Sequence, residues 1–187
     1  DSGEFGSNLK VGKVRRKSID ETYELVVGKV STARNHCNEM VVPLQEKVSP
    51  GRLINLVVRA FNDGIAFRYE FPEQEGWNSY VMYDEKTQFR LSGNPMALLM
   101  YLPGYINTHE GVYTHTRYDK IAKKRLIEMP VTLEFENGVF MSITEAAIRD
   151  YAGMYLVKEK DAFAGKLSPR LGQEKIKVEI NEFPHRT

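Results

Sequence analysis

The sequence predicts an all-β protein made of antiparallel sheets. β-Branched and aromatic residues are frequent, and short apolar or alternating runs recur about every ten residues between turn signals. No segment shows sustained helical periodicity, and no apolar run approaches the roughly 20 residues of a membrane helix. A hydrophobic content of 42% indicates a globular chain, and a formal net charge of +1 gives no electrostatic attraction for nucleic acid. At 187 residues the chain is predicted to form a single domain.

The clearest local signal is a hairpin over residues 52–71. Both halves alternate in polarity, and Asn62-Asp63-Gly64 between them is a short loop in which glycine supplies the positive φ angle. This pattern predicts an antiparallel hairpin with one buried face. The residues predicted to be buried are Ile54, Leu56, Val58, Ala60, Ile65, Phe67, Tyr69 and Phe71.

A second hairpin is predicted around Asn137-Gly138, the strongest short hairpin signal in the chain. A two-residue loop at this point places Phe135 opposite Phe140. Glu145 lies at the end of the returning apolar strand, where a carboxylate is more often a solvated strand end than a ligand.

The other elements are predicted from composition and turn residues. The polar residues 8–21 indicate a solvated strand edge, the basic run in 118–126 a solvated face, and residues 161–172 an irregular segment. Further strands are predicted at residues 22–30, 34–46, 88–91, 97–100, 152–157 and 175–180.

The single cysteine, Cys37, excludes an intrachain disulfide. It lies in a predicted strand, and a buried inert thiol is expected. A nucleophilic pair with His36 is disfavoured, because adjacent residues of a strand point to opposite faces.

Residues 101–116 form a predicted loop rich in functional groups. Pro103-Gly104 ends the preceding buried strand, and the loop then carries Tyr105, His109, Glu110, Tyr113 and His115. Loops on rigid sheets often hold binding groups, although a plain surface connection has the same composition. The six-residue spacing of the two histidines is not typical of a metal site.

Glycosidase chemistry requires two carboxylates about 5 to 10 Å apart. Glu39, Glu110 and Glu145 are candidates by residue type, but nothing in their spacing pairs them. Trp77 could stack on a sugar ring, and more often a lone tryptophan in such a loop caps the core.

Four blocks occur in the order seen in one enzyme family. They are residues 35–40 (NHCNEM), 61–71 (FNDGIAFRYEF), 144–147 (TEAA) followed by Asp150-Tyr151, and 184–187 (PHRT). Over nearly its whole length the chain resembles the N-terminal domain of glycoside hydrolase family 97, a family of bacterial α-glucosidases and α-galactosidases.

The resemblance implies a β-super-sandwich related to galactose mutarotase, beginning before residue 1 and followed after residue 187 by a catalytic (β/α)₈ barrel. The barrel would carry the general acid and the base or nucleophile, so no catalytic residue is expected in this chain, which alone should be inactive. The family's N-terminal domain gives one glutamate to an active-site calcium ion. Glu145 fits that position best, and Glu110 is its rival.

The same resemblance implies that the parent enzyme acts on α-linked oligosaccharides and is periplasmic or secreted. Residues 1–7 are neither basic nor apolar, so no signal peptide is predicted within them. Two other functions stay open. One is a free carbohydrate-binding module using Trp77, Tyr105 and Tyr113, and the other is a mutarotase-like enzyme using His109, His115 and Glu110.

Overall fold

The structure, a computed structural model, describes residues 5–6, 8–82, 84–149, 151–168, 176–180 and 182–187. Their regular structure is β-strand, apart from one 3₁₀ turn at Tyr118–Lys120, which confirms the all-β prediction. No helix in these ranges is long and apolar enough to cross a membrane. The strands are β1 (Leu9–Val11), β2 (Arg15–Glu24), β3 (Thr32–Glu46), β4 (Leu53–Ala60), β5 (Ile65–Phe71), β6 (Ser79–Met82), β7 (Gln88–Arg90), β8 (Met96–Leu99), β9 (Tyr101–Leu102), β10 (Thr114–Arg117), β11 (Leu126–Ile127), β12 (Val131–Glu134), β13 (Phe140–Ile143), β14 (Met154–Glu159), β15 (Ala162–Leu167), β16 (Ile176–Glu179) and β17 (His185–Arg186).

The chain divides into two compact units. Unit 1 comprises Asp1–Asn78 and Glu179–Thr187, and unit 2 comprises Ser79–Val178. The prediction of a single domain over residues 1–187 stays a prediction.

Unit 1 is built on a six-stranded sheet with the order β1-β3-β4-β5-β17, in which β2 also pairs with β3. β3 is the long strand predicted, and it continues through Pro43. Cys37 on this strand is 4% exposed and His36 is exposed, so the two side chains have the opposite environments expected of strand neighbours.

Strands β4 and β5 form the predicted antiparallel hairpin, with Ala60 paired to Ile65 and Val58 to Phe67. The prediction that Gly64 takes a positive φ is wrong, because the loop has four residues, 61–64, and the Phe61 N–H donates to the Gly64 carbonyl oxygen at 2.8 Å. The predicted partners therefore share one face of the sheet. Their burial differs from the prediction, because Ile65 is 76% exposed and Phe67 is 41% exposed, whereas Val57 on the opposite face is 4% exposed. The prediction of one buried apolar face is wrong at this end of the hairpin.

The opposite face can be buried because its charges are paired. Glu39 is 7% exposed and lies 3.2 Å from Lys17 Nζ and 2.8 Å from Arg59 Nε. Burial opposes ionisation of Glu39, but hydrogen bonds from Arg59 and Lys17 outweigh it and hold the pKa of Glu39 below its usual value. A polarity pattern cannot anticipate a carboxylate that is buried together with its cations.

Unit 2 contains two larger antiparallel sheets and one two-stranded sheet. Their orders are β10-β8-β12-β13, β7-β15-β14-β11-β9 and β16-β6. Residues from both larger sheets meet in one hydrophobic core, which also takes Tyr118 and Ile121 from the 3₁₀ turn and its end. Core side chains with 0% exposure are Ala97, Leu99, Ile127, Val131, Leu133, Leu156 and Phe163.

The hairpin at Asn137-Gly138 exists, but its register differs from the prediction. Glu134 pairs with Phe140, and the Phe135 N–H donates to the Val139 carbonyl oxygen at 2.9 Å. The loop therefore has three residues and ends at Gly138, whose φ is +79°. Phe135 lies opposite Val139, so the prediction that it faces Phe140 is wrong by one residue.

The prediction is wrong for two segments, one predicted to be a strand and the other predicted to be irregular. Residues 25–30 were expected to extend a strand, but β2 ends at Glu24 and Val26 is 100% exposed in the turn that follows. Residues 162–167, expected to be irregular, form the almost completely buried strand β15. Alanine and glycine have low strand propensity, and here tertiary packing overrides it. The remaining predicted strands overlap β7, β8, β14 and β16, and Lys175 lies outside the described residues.

Candidate functional site

The polar groups of unit 2 gather around Tyr155, in the middle of the β11-β14-β15 portion of its sheet. Tyr155 pairs across β14 and β15 with Lys166. On the other side, Ile127 of β11 pairs with Leu156, so Glu128, the next residue, comes beside Tyr155. Cross-strand neighbours share a face, and the sheet therefore presents a carboxylate, a phenol and an ammonium group in one row.

His109 brings the loop after β9 into this row. Its Nδ1 lies 2.8 Å from Glu128 Oε2, and its ring stacks on Tyr155 with centroids 6.3 Å apart and an interplanar angle of 23°. One residue predicted from the loop therefore does contact the sheet. The loop itself is shorter than predicted, since residues 114–116 belong to strand β10.

Tyr105 contacts the other side of the row. Its ring meets Tyr155 edge to face at 5.5 Å. Burial raises the pKa of the Tyr105 phenol, and the nearby Asp84 carboxylate adds to the effect. Asp84 in turn lies 2.8 Å from Lys166 Nζ, so this side of the site is fixed by an ion pair.

Glu145 follows the end of β13 and reaches the start of β14. Its Oε1 accepts a hydrogen bond from the Met154 N–H at 3.0 Å. Burial raises the pKa of Glu145, the backbone hydrogen bond opposes this, and the Glu85 carboxylate raises it further. Among the residues that the structure describes, no second hydrogen bond to this carboxylate occurs.

Tyr155 connects these groups electrostatically. Burial raises the pKa of its phenol, and the Glu128 and Glu145 carboxylates and Tyr105 raise it further, in that order. The Glu145 and Glu128 carboxylates therefore both act on the pKa of one hydroxyl. We call Tyr105, His109, Glu128, Glu145 and Tyr155 the Tyr155 cluster.

The other residues predicted from the loop lie outside the cluster. Glu110 is exposed, Tyr113 is 50% exposed, and His115 is exposed on β10 opposite Leu98. No contact within the described residues joins His109, His115 and Glu110 into the set that a mutarotase-like enzyme would need. Calcium ligation by either Glu145 or Glu110 stays a prediction.

Two predicted residues have structural partners in unit 1. Glu39 is held by Lys17 and Arg59, as described above. The Trp77 ring packs edge to face on Phe71 at 5.5 Å, and the Arg52 guanidinium lies 5.7 Å from its centre. These contacts match the core-capping interpretation, while sugar stacking by Trp77 stays a prediction.

Sequence reasoning missed Glu128 and Tyr155. Each belongs to a short strand or to its end, without a distinctive motif. They meet because β11 pairs with β14, a pairing that no local pattern reveals. Knowledge of the register between β11 and β14 would have identified both residues.

Among the described residues, the Tyr155 cluster can supply one carboxylate ligand to a cation, and it does not form a complete metal site. Across the residues that the structure describes, no three His, Cys, Asp or Glu side chains converge on a metal position. Calcium takes six to eight oxygen ligands, at calcium–oxygen distances of about 2.3–2.6 Å. A partly buried carboxylate with one oxygen held by a backbone N–H, as at Glu145, is suited to complete a site whose other ligands come from elsewhere.

Comparisons with known proteins agree with this fold. A family model described as glycosyl-hydrolase 97 N-terminal matches residues 1–187. A retaining alpha-galactosidase of Bacteroides thetaiotaomicron is 27% identical over 167 residues, which is 84% of this chain and 24% of that protein.

Solved structures give the same result. A variant of a glycoside hydrolase family 97 enzyme from Pseudoalteromonas sp. strain K8 is 28% identical with a TM-score of 0.79, covering 94% of this chain and 27% of that chain. The enzyme from the same strain in complex with panose is 28% identical with a TM-score of 0.77 and the same coverage.

Fold and comparisons together define this chain as an all-β domain of glycoside hydrolases. It belongs to the glycosyl-hydrolase 97 N-terminal family. The chain spans about a quarter of the length of the relatives it matches.

Proposed function

We propose that this chain is the non-catalytic N-terminal domain of an α-glycoside hydrolase and that Glu145 gives one carboxylate to a calcium ion in that enzyme's active site. The observation that supports it is the environment of Glu145. The carboxylate is partly buried, one oxygen is fixed by the Met154 N–H, and burial raises its pKa. A buried carboxylate without a cation is unfavourable, and a bound cation would offset that cost.

Most of the calcium ligands would come from the catalytic barrel expected in the longer protein. Calcium, when bound, would orient the substrate and stabilise charge that develops on the leaving oxygen. The role of this domain is to hold the Glu145 carboxylate at a fixed position. The hydrogen bond from the β14 backbone does this, because a strand inside a sheet moves little.

The rest of the Tyr155 cluster is suited to form a wall of the sugar pocket. Tyr105 and Tyr155 offer aromatic surfaces, and His109, which is held by Glu128, offers a hydrogen-bonding group beside them. Sugars are bound by such combinations of flat apolar faces and polar groups. An α-linked oligosaccharide is the proposed substrate, since one relative is a retaining alpha-galactosidase and another was solved with panose.

Kinetics of the longer protein test the assignment. Glu145→Ala is expected to lower kcat on an α-glycoside at least about tenfold and to shift its calcium midpoint upward, the scale seen when metal-site residues are lost. Glu110→Ala is the matched variant and should leave both quantities unchanged. The reverse result would move the ligand to the loop after β9, and unchanged kinetics in both variants would refute calcium ligation by this domain.

A further inference from the structure

His109 is held in one orientation by its backbone. Its φ is +56°, a left-handed conformation that costs a residue other than glycine of order 1 kcal/mol or more. The Asn107 side chain compensates, because its Oδ1 accepts the His109 N–H at 2.6 Å and its Nδ2 donates to the Gly104 carbonyl oxygen at 2.7 Å. A costly conformation that is stabilised by a dedicated side chain is typical of functional positions.

The orientation of the imidazole is also fixed, and only one of its two nitrogens, Nδ1, is used in doing so. Nδ1 contacts Glu128 Oε2 at 2.8 Å, and the ring lies against Tyr155. A carboxylate accepts only, so Nδ1 donates in this contact, and in the tautomer with a single proton on Nδ1 the other nitrogen, Nε2, is an acceptor. No contact to Nε2 occurs in the part of the chain that the structure describes, and the His109 side chain is 48% exposed while that of Glu128 is 20% exposed.

The surroundings of Nε2 favour a neutral, hydroxyl-rich ligand. The Glu128 carboxylate contacts the imidazole directly, and a negative charge at this position disfavours an anion. A sugar hydroxyl can donate to Nε2 while the ring lies near the aromatic surfaces of Tyr105 and Tyr155.

We propose that His109 is a sugar-binding residue whose Nε2 accepts a hydrogen bond from a hydroxyl of the bound α-glycoside. Glu128 is the positioning residue that fixes the tautomer and the orientation of the ring. This inference rests on the proposed binding of α-glycosides, and it is independent of calcium ligation by Glu145.

Initial-rate kinetics of the longer protein on panose and on raffinose, an α-galactoside, test it, with sugar binding read from KM. His109→Ala should weaken binding of the preferred sugar about tenfold, the effect of one hydrogen bond of roughly 1.4 kcal/mol. Glu128→Ala should weaken it less, and Glu128→Gln should restore it, since glutamine keeps an acceptor for Nδ1. His115→Ala, at an exposed histidine on β10, is the matched control and should bind as the wild type does.

A double-mutant cycle separates positioning from a general structural role. His109→Ala with Glu128→Ala should bind no more weakly than His109→Ala alone, because Glu128 acts through the imidazole. Thermal unfolding midpoints of all variants should agree with that of the wild type.

Unchanged binding in His109→Ala, an equal loss in His115→Ala, or no binding of either sugar by the wild type would overturn the inference. Calcium affinity of the same variants distinguishes its failure from that of the Glu145 assignment, because His109 substitutions should leave that affinity unchanged.

Discussion

Arg52 and Glu46 of unit 1 are joined by an extensive side-chain pairing. Arg52 donates from Nη2 and Nε to the two carboxylate oxygens at 2.6 and 2.8 Å, and its backbone N–H also reaches Glu46 Oε2 at 3.1 Å. The same guanidinium lies over the rings of Phe5 and Trp77. With side-chain exposures of 11% for Arg52 and 5% for Glu46, the pair is shielded from water.

Replacing Glu46 by glutamine should therefore destabilise the 187-residue chain by ~2 kcal/mol in urea unfolding, because it removes the negative charge that faces a largely buried guanidinium. The exposed Arg34–Asp20 pair is the control, and Asp20→Asn should leave the unfolding midpoint nearly unchanged. Equal effects of the two substitutions would contradict this ranking.

The pH dependence of stability follows from the same pair. Hydrogen bonds from Arg52 hold the pKa of Glu46 below its usual value although burial opposes this. A depressed carboxyl pKa contributes stability that is present above the unfolded-state pKa and is lost as the pH falls through the folded-state pKa. Stability of the wild type should thus fall more steeply between neutral and strongly acid pH than that of Glu46→Gln, as measured by urea unfolding across a pH series.

Glu145 should behave in the opposite way. Burial raises its pKa, so the folded chain binds the proton more tightly than the unfolded chain, and ionisation at neutral pH opposes folding. Without calcium, Glu145→Gln should raise the unfolding free energy at neutral pH by roughly 0.5–1 kcal/mol, a common gain at functional positions. The gain should vanish in acid, where both variants are neutral, and a loss of stability at neutral pH would contradict it.

Strand β8 shows how one element divides its residues between core and surface. Leu99 is 0% exposed and Leu98 is 42% exposed, although they are neighbours of the same type. Leu99→Ala should cost about 3 kcal/mol through the cavity it leaves, and Leu98→Ala less than about 1 kcal/mol. Chemical denaturation of the two variants measures the difference directly, and similar losses would contradict the packing of this strand.

At the scale of elements, the sequence predicted strands well where polarity alternates and turns carry glycine. The β4–β5 hairpin has the predicted pairing, and the Asn137-Gly138 turn is where expected. Details that depend on distant residues were not predictable. The buried face of the hairpin depends on ion pairs between β2, β3 and β4, and β15 is a strand because its neighbours cover it.

At the scale of the whole molecule, the candidate site is assembled from segments far apart in the chain. Tyr105 and His109 come from a loop, Glu128 follows β11, Glu145 follows β13 and Tyr155 lies in β14. The family resemblance predicts Glu145 as a site residue, and the imidazole of His109, in a loop rich in functional groups, predicts it as another. Their meeting at Tyr155 depends on strand register, which a single sequence does not encode in any local pattern.

The proposed function assigns the catalytic residues to a barrel outside this chain. It therefore predicts that the 187-residue chain alone is inactive. Purified chain should hydrolyse neither α-glucosides nor α-galactosides and should not interconvert sugar anomers, because the proposed function assigns the catalytic carboxylate pair to the barrel. Release of reducing sugar and polarimetry measure the two reactions. Activity in either assay would contradict a purely supporting role.

Calcium titration of the longer protein by calorimetry tests the central claim most directly. Wild type, Glu145→Gln and Glu110→Gln are compared at one neutral pH, where the glutamine variants keep side-chain size and lose the charge. Glu145→Gln should weaken calcium binding at least about tenfold, and Glu110→Gln should bind as the wild type does. Equal calcium affinity in the wild type and Glu145→Gln would contradict the account.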